Sequence, residues 1–308
     1  MVTTGAAGAI TLGACACLTG ADQAKIQRLP DLGGMKSEAI IQKVHRNAFD
    51  HAVRNTGLRL VEVASREQML AAISERTAML YYLGGTGQAE EDPPVSFEEC
   101  LVIGKKAGFP VMIDAANLLP PWENVRRLAA LGTDLISISG GKHMRGPQCA
   151  GILAGRRDLI QAALMNSSPN EDTLGRPLKV GREEIIGVWL ACEKYARLDF
   201  AALERQSLDE AEYLARELNK IDGLRAGLAP FEKYRRIPRV YATWDEGKLA
   251  LTAADCERRL LEGEPRIAAL RHEPQGVKFA MFLGEPGDEK IVARRMKEIF
   301  AAGGPQRP

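Results

Sequence analysis

Charge of one sign is what this sequence lacks most plainly. Lys and Arg number 41 against 40 Asp and Glu, a net charge of +1. Bulk electrostatics therefore calls for neither nucleic acid nor a membrane surface as a partner. A disulfide framework is also missing. The six cysteines (15, 17, 100, 149, 192 and 256) are scattered, mostly through apolar runs, and none joins histidine at zinc spacing, so no metal site is expected. Cys15 and Cys17 stand two apart on an expected helix, hence on different faces. A reducing cytoplasm suits this usage.

There is no positively charged start, since the first basic residue is Lys25, and a signal peptide needs one. The apolar stretch from Met1 to Leu18 is interrupted by Thr3, Thr4 and Thr11 and has few large side chains for a bilayer span. A buried helix accounts for it better than secretion or a membrane anchor. Internal repeats and low-complexity tracts are absent too. What remains is an ordinary globular composition, 45% hydrophobic and 26% charged over 308 residues, long enough for a large domain and a smaller one.

Apolar runs and helical patterns alternate along the first two-thirds. A helix is expected from Thr3 to Leu18, closed by Gly20. Strands are expected over Glu38–Val44, Leu58–Val63, Ala78–Leu83, Pro110–Asp114, Asp134–Ser139 and Ala150–Ala154. Helices fall between them: Phe49–Thr56, Ser65–Ser74, Phe97–Lys106, Trp122–Leu131 and Arg157–Met165. Alternation of this kind predicts βαβ units and an α/β, doubly wound, mainly parallel sheet. Gly84-Gly-Thr-Gly87 reads as a strand-end turn, lacking the lysine and spacing of a nucleotide loop, and the acidic, proline-bearing loop after it reads as exposed. Asn166 to Asp172 reads as a mobile loop. Long helices over Glu183–Leu198 and Phe200–Ile221 lead to a smaller α/β part, with strands at Arg239–Trp244 and Gly276–Phe282 and helices at Thr252–Leu261 and Asp288–Ala301. The expected division is a large domain over 1–198 and a small C-terminal domain over 199–308, with a frayed tail from Gly303.

Ligands on open α/β sheets sit at the carboxyl ends of the strands, where Gly84, Asp114 and Ser139 fall. Beyond Ser139 comes Gly140-Gly-Lys142-His-Met-Arg-Gly-Pro-Gln148. A lysine behind two glycines can be desolvated toward the neutral amine that a Schiff base needs. It can equally be a surface lysine in a loop. Asp114, one βαβ step earlier, can pair with a pyridine nitrogen or simply cap its own turn. Thr4, Gly5 and Ala6 at a helix start can cradle a phosphate, or pack closely on a sheet. Ser139 can add a hydroxyl. Together they meet the requirements of pyridoxal phosphate.

With those residues in place, the chain resembles fold-type-I pyridoxal-phosphate enzymes of the selenocysteine synthase-like group. That group includes L-seryl-tRNA(Sec) selenium transferase and the D-glucosaminate-6-phosphate ammonia-lyase type. Five stretches carry the resemblance: Thr4-Gly-Ala-Ala-Gly-Ala, His45 to Val53, Ile113-Asp-Ala-Ala116, Ser139 to Gln148 and Gly175 to Glu184. It implies Lys142 as the Schiff-base lysine, Asp114 as the pyridine partner, Ala116 under the ring, and Thr4 to Ala6 with Ser139 on the phosphate. Members of the group carry a longer segment ahead of the cradle, often completing the site across a dimer, and against them this chain is expected to lack it.

Further cations invite a substrate role. Arg145, Arg176 and Lys179 can hold a substrate carboxylate or phosphate. His45 and Arg46, just after a strand, can reach cofactor or substrate, or belong to the cap of the next helix. Arg182, Glu183 and Glu184 read as a solvated first helical turn. The expected activity is that of a lyase or transferase on an amino acid with a β-leaving group, most simply α,β-elimination from a small anionic, phosphorylated substrate. Selenium transfer to seryl-tRNA is the alternative, disfavoured by the near-neutral charge. A catalytically inactive, truncated homologue acting as a binding protein is another. A homodimer or higher homo-oligomer is implied as well.

Overall fold

The computed structural model describes residues 1–85, 93–272, 275–282 and 284–303. The second half of the Gly84–Gly87 turn, the acidic part of the loop after it and most of the C-terminal tail lie outside the described residues.

Two compact units divide the chain, Met1–Leu198 and Asp199–Pro308. In the first, β1 (Val2–Thr4) leads directly into α1 (Gly5–Thr19), followed by α2 (Gln23–Arg28) and β2 (Glu38–Gln42). After two 3₁₀ turns at Lys43–His45 and Ala48–Asp50 come α3 (His51–Arg54), β3 (Arg59–Val63), α4 (Arg66–Ala72) and β4 (Thr77–Leu83). Then follow α5 (Phe97–Ala107), β5 (Val111–Asp114), α6 (Glu123–Ala130), β6 (Leu135–Ser139), β7 (Ala150–Gly155), α7 (Arg157–Met165) and α8 (Arg182–Ala196). Seven strands form one sheet in the order β1-β7-β6-β5-β4-β2-β3.

The five strands from β2 to β6 run parallel, as the alternation predicts, whereas β7 is antiparallel to both β6 and β1. The sheet is thus mainly parallel, as expected, and its antiparallel member β7 has a simple reason. Residues 140–149 contain no helix, and a parallel return needs a crossover. The expected helix from Thr3 is also corrected: Val2 to Thr4 pair with Ile152 to Ala150 as an edge strand, and the helix starts at Gly5.

α1 is apolar on nearly every side and buried from Gly8 to Ala16, as a helix enclosed by other elements must be. It shares one core with α3 and α7, against Ile41, Met79, Tyr81, Met112, Leu135 and Leu153 of the sheet. α4 and α5 cover strands of the same sheet, and β2 and β4 are buried almost throughout. The segment read as a mobile loop is instead tied down. Asn166 is buried, its side chain donates to Thr19 Oγ1 and to the Ala162 carbonyl, and Ser167 bridges to Gly175.

The second unit contains α9 (Phe200–Leu218), β8 (Leu224–Leu228), β9 (Arg239–Trp244), α10 (Glu246–Leu249), α11 (Ala253–Glu262), β10 (Leu270–Arg271), β11 (Val277–Ala280) and α12 (Asp288–Ala301). Its sheet is antiparallel, in the order β10-β11-β9-β8, and α9, α11 and α12 supply the other side of its core.

Candidate active site

Strand register assembles the site. Leu83 pairs with Asp114, Asp114 with Ser137, Ser139 with Gly151, and Thr4 with Ala150. The carboxyl ends of β4, β5 and β6 and the start of α1 therefore share one edge of the sheet. Side chains two apart on a strand share a face, so Tyr81, Asp114 and Ser137 lie together on the face that carries α1.

Asp114 ends β5 and is only 5% exposed. One carboxylate oxygen accepts the Ala116 N–H at 3.0 Å and the other the Tyr81 hydroxyl at 3.2 Å. Burial raises its pKa above the usual carboxylate range, against the opposing pull of the Ala116 N–H, Tyr81 and the positive charge of Lys142. Tyr81 is raised as well, by its own burial and by the negative charge of Asp114. An anion kept this dry becomes comfortable only when a full cation is placed against it.

Lys142 lies in the loop after β6, and its Nζ donates to Asn117 Oδ1 at 2.8 Å. The two glycines before it serve the backbone rather than a ligand. A Cβ on Gly141 would stand 2.5 Å from Gln148 Cα, and one on Gly140 2.9 Å from the Ala150 carbonyl oxygen and 2.7 Å from Val188. Their bareness lets the loop fold back on itself, which fixes where Lys142 emerges.

The start of α1 is open. No side chain caps it, and no acidic residue occupies its first turn, so its first N–H groups have no partner within the helix. Thr4 Oγ1 is buried there without a hydrogen-bond partner. Gly5 adopts a left-handed φ of 66°, and a Cβ on Gly151 would stand 2.2 Å from the Gly5 carbonyl carbon, so the helix start is pressed onto β7. Ser137 locks it there by donating to the Ala6 carbonyl at 3.1 Å. Ser139, half-buried, ends β6 beside it.

Thr4 and Lys179 line a single cleft of about 400 Å3, together with Cys149, Val180, Gly181, Glu183 and Glu184. Arg182, Glu183 and Glu184 form the expected first turn of α8, exposed at Arg182 and Glu183, and the two glutamates also border this cleft. The other expected cations are placed differently. Arg176 is exposed and donates to Ser168 Oγ at 2.9 Å. Arg145 is exposed on the lysine loop with a φ of 55°. Arg46 is committed to ion pairs, with Asp50 at 2.5 Å and with Glu62, and Arg54 holds the other oxygen of the buried Asp50 at 3.0 Å. That engagement answers to packing rather than to a substrate.

His45 follows β2 at the same edge of the sheet and is 2% exposed, with Nδ1 unpartnered. Its ring meets Tyr82 edge-on at 4.3 Å, and burial lowers its pKa to about 4. It stays an uncharged ring at neutral pH.

These features fit pyridoxal phosphate. The orphaned Thr4 hydroxyl and the open helix start suit a phosphate, and the dry Asp114 suits a pyridinium. Lys142 supplies an amine. Sequence reasoning missed Tyr81, Asn117 and Ser137. Tyr81 and Ser137 could have been found from strand register, and Asn117 from its place in the turn after Asp114.

No family model matches the chain. Two relatives match nearly its whole length. A 5'-C-glycyluridine monooxygenase-decarboxylase from Streptomyces sp is 32% identical over 316 residues, covering 96% of this chain and 75% of the relative. A D-glucosaminate-6-phosphate ammonia lyase from Salmonella typhimurium is 28% identical over 314 residues, covering 97% and 80%. Among solved structures, one of D-glucosaminate-6-phosphate ammonia-lyase superposes with a TM-score of 0.81 at 26% identity, covering 98% of this chain and 81% of the other.

Proposed function

Because this chain belongs to the selenocysteine synthase-like family of fold-type-I, pyridoxal-phosphate-dependent enzymes, we propose that it performs α,β-elimination on a small anionic, phosphorylated amino acid. The observation that carries this reading is the meeting of Lys142, Asp114 and the open start of α1 on one sheet edge. Retention of all three supports an enzyme over a binding protein.

Pyridoxal phosphate, when bound, supplies an electrophilic carbon and a ring that withdraws electrons from the substrate α-carbon. The protein's own groups do the rest. Asp114 would pair with the ring nitrogen and keep it protonated, and Tyr81 orients its carboxylate by the hydroxyl. Thr4, the N–H groups of Gly5 and Ala6, and Ser139 would hold the phosphate. Ala116 would offer a small side chain beneath the ring, and the neutral ring of His45 suits an aromatic neighbour. The Lys142 amine takes the α-proton, and the β-substituent departs with the electron pair. The unsaturated amino acid released then hydrolyses to a 2-keto acid and ammonia. Lys179, in the cleft with Thr4, is the cation best placed for a substrate anion, with Arg145 and Arg176 as outer cations.

The test is a panel of amino acids bearing phosphate and a β-hydroxyl, assayed with pyridoxal phosphate for ammonia and 2-keto acid. Equal amounts of both, lost in Lys142→Ala, are expected. Turnover of none sinks the substrate class. Oxidative decarboxylation of a glycyl group, with dioxygen as co-substrate, is the second reading, favoured by the 32% identity to the monooxygenase-decarboxylase. Dioxygen-dependent release of carbon dioxide from a glycyl substrate identifies it. Selenium transfer to seryl-tRNA ranks below both, since a net charge of +1 offers little to a polyanion.

A homodimer or higher homo-oligomer belongs to the same proposal. α8 exposes Ile185, Ile186, Trp189 and Leu190 along one stripe, the kind of apolar patch that protein partners cover. So does a cytoplasmic setting, supported by six cysteines that are all free thiols. No helix among the described residues is long and apolar enough to cross a membrane.

A further inference from the structure

We propose that Asn117 is a positioning residue for Lys142, its side-chain oxygen holding the ε-amine, in its protonated form, at the end of β5 whenever that amine is not covalently engaged. The inference rests on the reading of Lys142 as the reactive amine.

Asn117 occupies the turn that immediately follows Asp114. Its backbone is fixed from several sides. Ala116 N–H is bound to Asp114, Leu118 N–H donates to the Ala115 carbonyl at 3.1 Å, and the Asn124 amide donates to the Leu118 carbonyl at 2.7 Å. A Cβ on Gly85 would stand 2.9 Å from the Asn117 carbonyl oxygen, so the strand-end turn of β4 closes over it. From this platform Oδ1 accepts the Lys142 ammonium at 2.8 Å. An ammonium is a donor only, so the amide must present its oxygen rather than its nitrogen. The same short turn thereby aims the Asp114 carboxylate and anchors the lysine amine.

The choice of an amide has a chemical consequence. An acceptor that favours the charged form of a base raises its titration midpoint, yet a neutral amide cannot itself take the proton. Asn117 therefore stabilises the proton that Lys142 has taken up without competing for it, as suits a group that removes a proton from a substrate. Among the described residues, the Asp114 carboxylate on β5 interacts with the amine through charge, and His143 and Arg145 lie near Lys142 in sequence on its own loop. Substitution at Asn117 leaves all of them in place.

The measurement is the titration of Lys142 by NMR in protein carrying isotope-labelled lysine, with no cofactor added and the signal assigned by its loss in Lys142→Arg. Asn117→Ala is expected to lower the midpoint by about half a pH unit, roughly threefold in ionisation constant. Asn117→Asp is expected to raise it. A purely structural role would not move the two variants in opposite directions. Midpoints unchanged from the parent protein overturn the proposal, and if Asn117→Ala fails to fold, the absence of a rise in Asn117→Asp overturns it alone. Covalent uptake of pyridoxal phosphate on Lys142 is scored separately in the same preparations. Shifted midpoints without uptake refute the enzyme reading and leave the role of Asn117 standing, while uptake with unshifted midpoints refutes only that role.

Discussion

Asp114 carries its charge into a place that resists one, and in the absence of a cofactor this costs stability at neutral pH. Its folded pKa is raised, so the protein binds this proton more tightly folded than unfolded, and the contribution is lost as pH rises. Asp114→Asn is therefore expected to melt at the same temperature as the parent or higher, by about 1 kcal/mol, in cofactor-free protein. With pyridoxal phosphate added, the parent should gain the larger thermal stabilisation. A variant destabilised without cofactor contradicts this. His45 has the opposite sign. Its pKa falls from 6.5 to about 4 on folding, so the unfolded chain takes up a proton that the folded one refuses. Stability is then lost as pH falls through that window, by ~3 kcal/mol at most. Asp50 adds to the loss at still lower pH, because Arg46 and Arg54 outweigh its burial and hold its carboxyl below the ordinary range. Urea unfolding from pH 7 to 4.5 should show a falling midpoint in the parent and a flatter one in His45→Phe. Equal slopes would show that His45 is not the group responsible.

At the scale of elements, the unit that matters is β1 with α1, because it brings the proposed phosphate cradle to the sheet edge. The turn between them depends on Gly5 at a left-handed φ, and a side chain there costs about 1 kcal/mol in backbone strain. Gly5→Ala is thus expected to fold with slightly reduced stability and to lose at least tenfold in affinity for pyridoxal phosphate, read by fluorescence titration, while pyridoxal, which lacks the phosphate, is affected far less. Equal losses for the two ligands would remove the phosphate from this helix start.

The same elements mark what was legible beforehand. The apolar runs that stop at Asp114 and Ser139 announced the strand ends, and Gly5 and Ala6 announced an open helix start. β1 was hidden, since Val2, Thr3 and Thr4 become a strand only by pairing with residues nearly 150 positions later. The reversal of β7 was written in the missing helix between Ser139 and Ala150, although the expectation of a mainly parallel sheet did not say which strand would turn. Asn166 to Asp172 carries the composition of a loose loop, and only its contacts with α1 and α7 reveal otherwise. Tyr81, Ser137 and Asn117 were missed because their roles come from register and turn geometry rather than from local pattern.

For the molecule as a whole, each unit has its own core. That of Asp199–Pro308 is built from α9, α11, α12 and the antiparallel sheet. Expressed alone, that span is expected to fold and to melt cooperatively by circular dichroism, and a featureless melt would deny it the status of a domain. The first unit holds Lys142, Asp114 and the start of α1, and the account stands or falls with the first of these. The direct measurement is to add pyridoxal phosphate, reduce with borohydride and map the modified peptide. A visible absorbance band that reduction bleaches, with the label on Lys142 and absent from Lys142→Ala, is the predicted result. An unchanged band in Lys142→Ala, or label spread over other lysines, would contradict it.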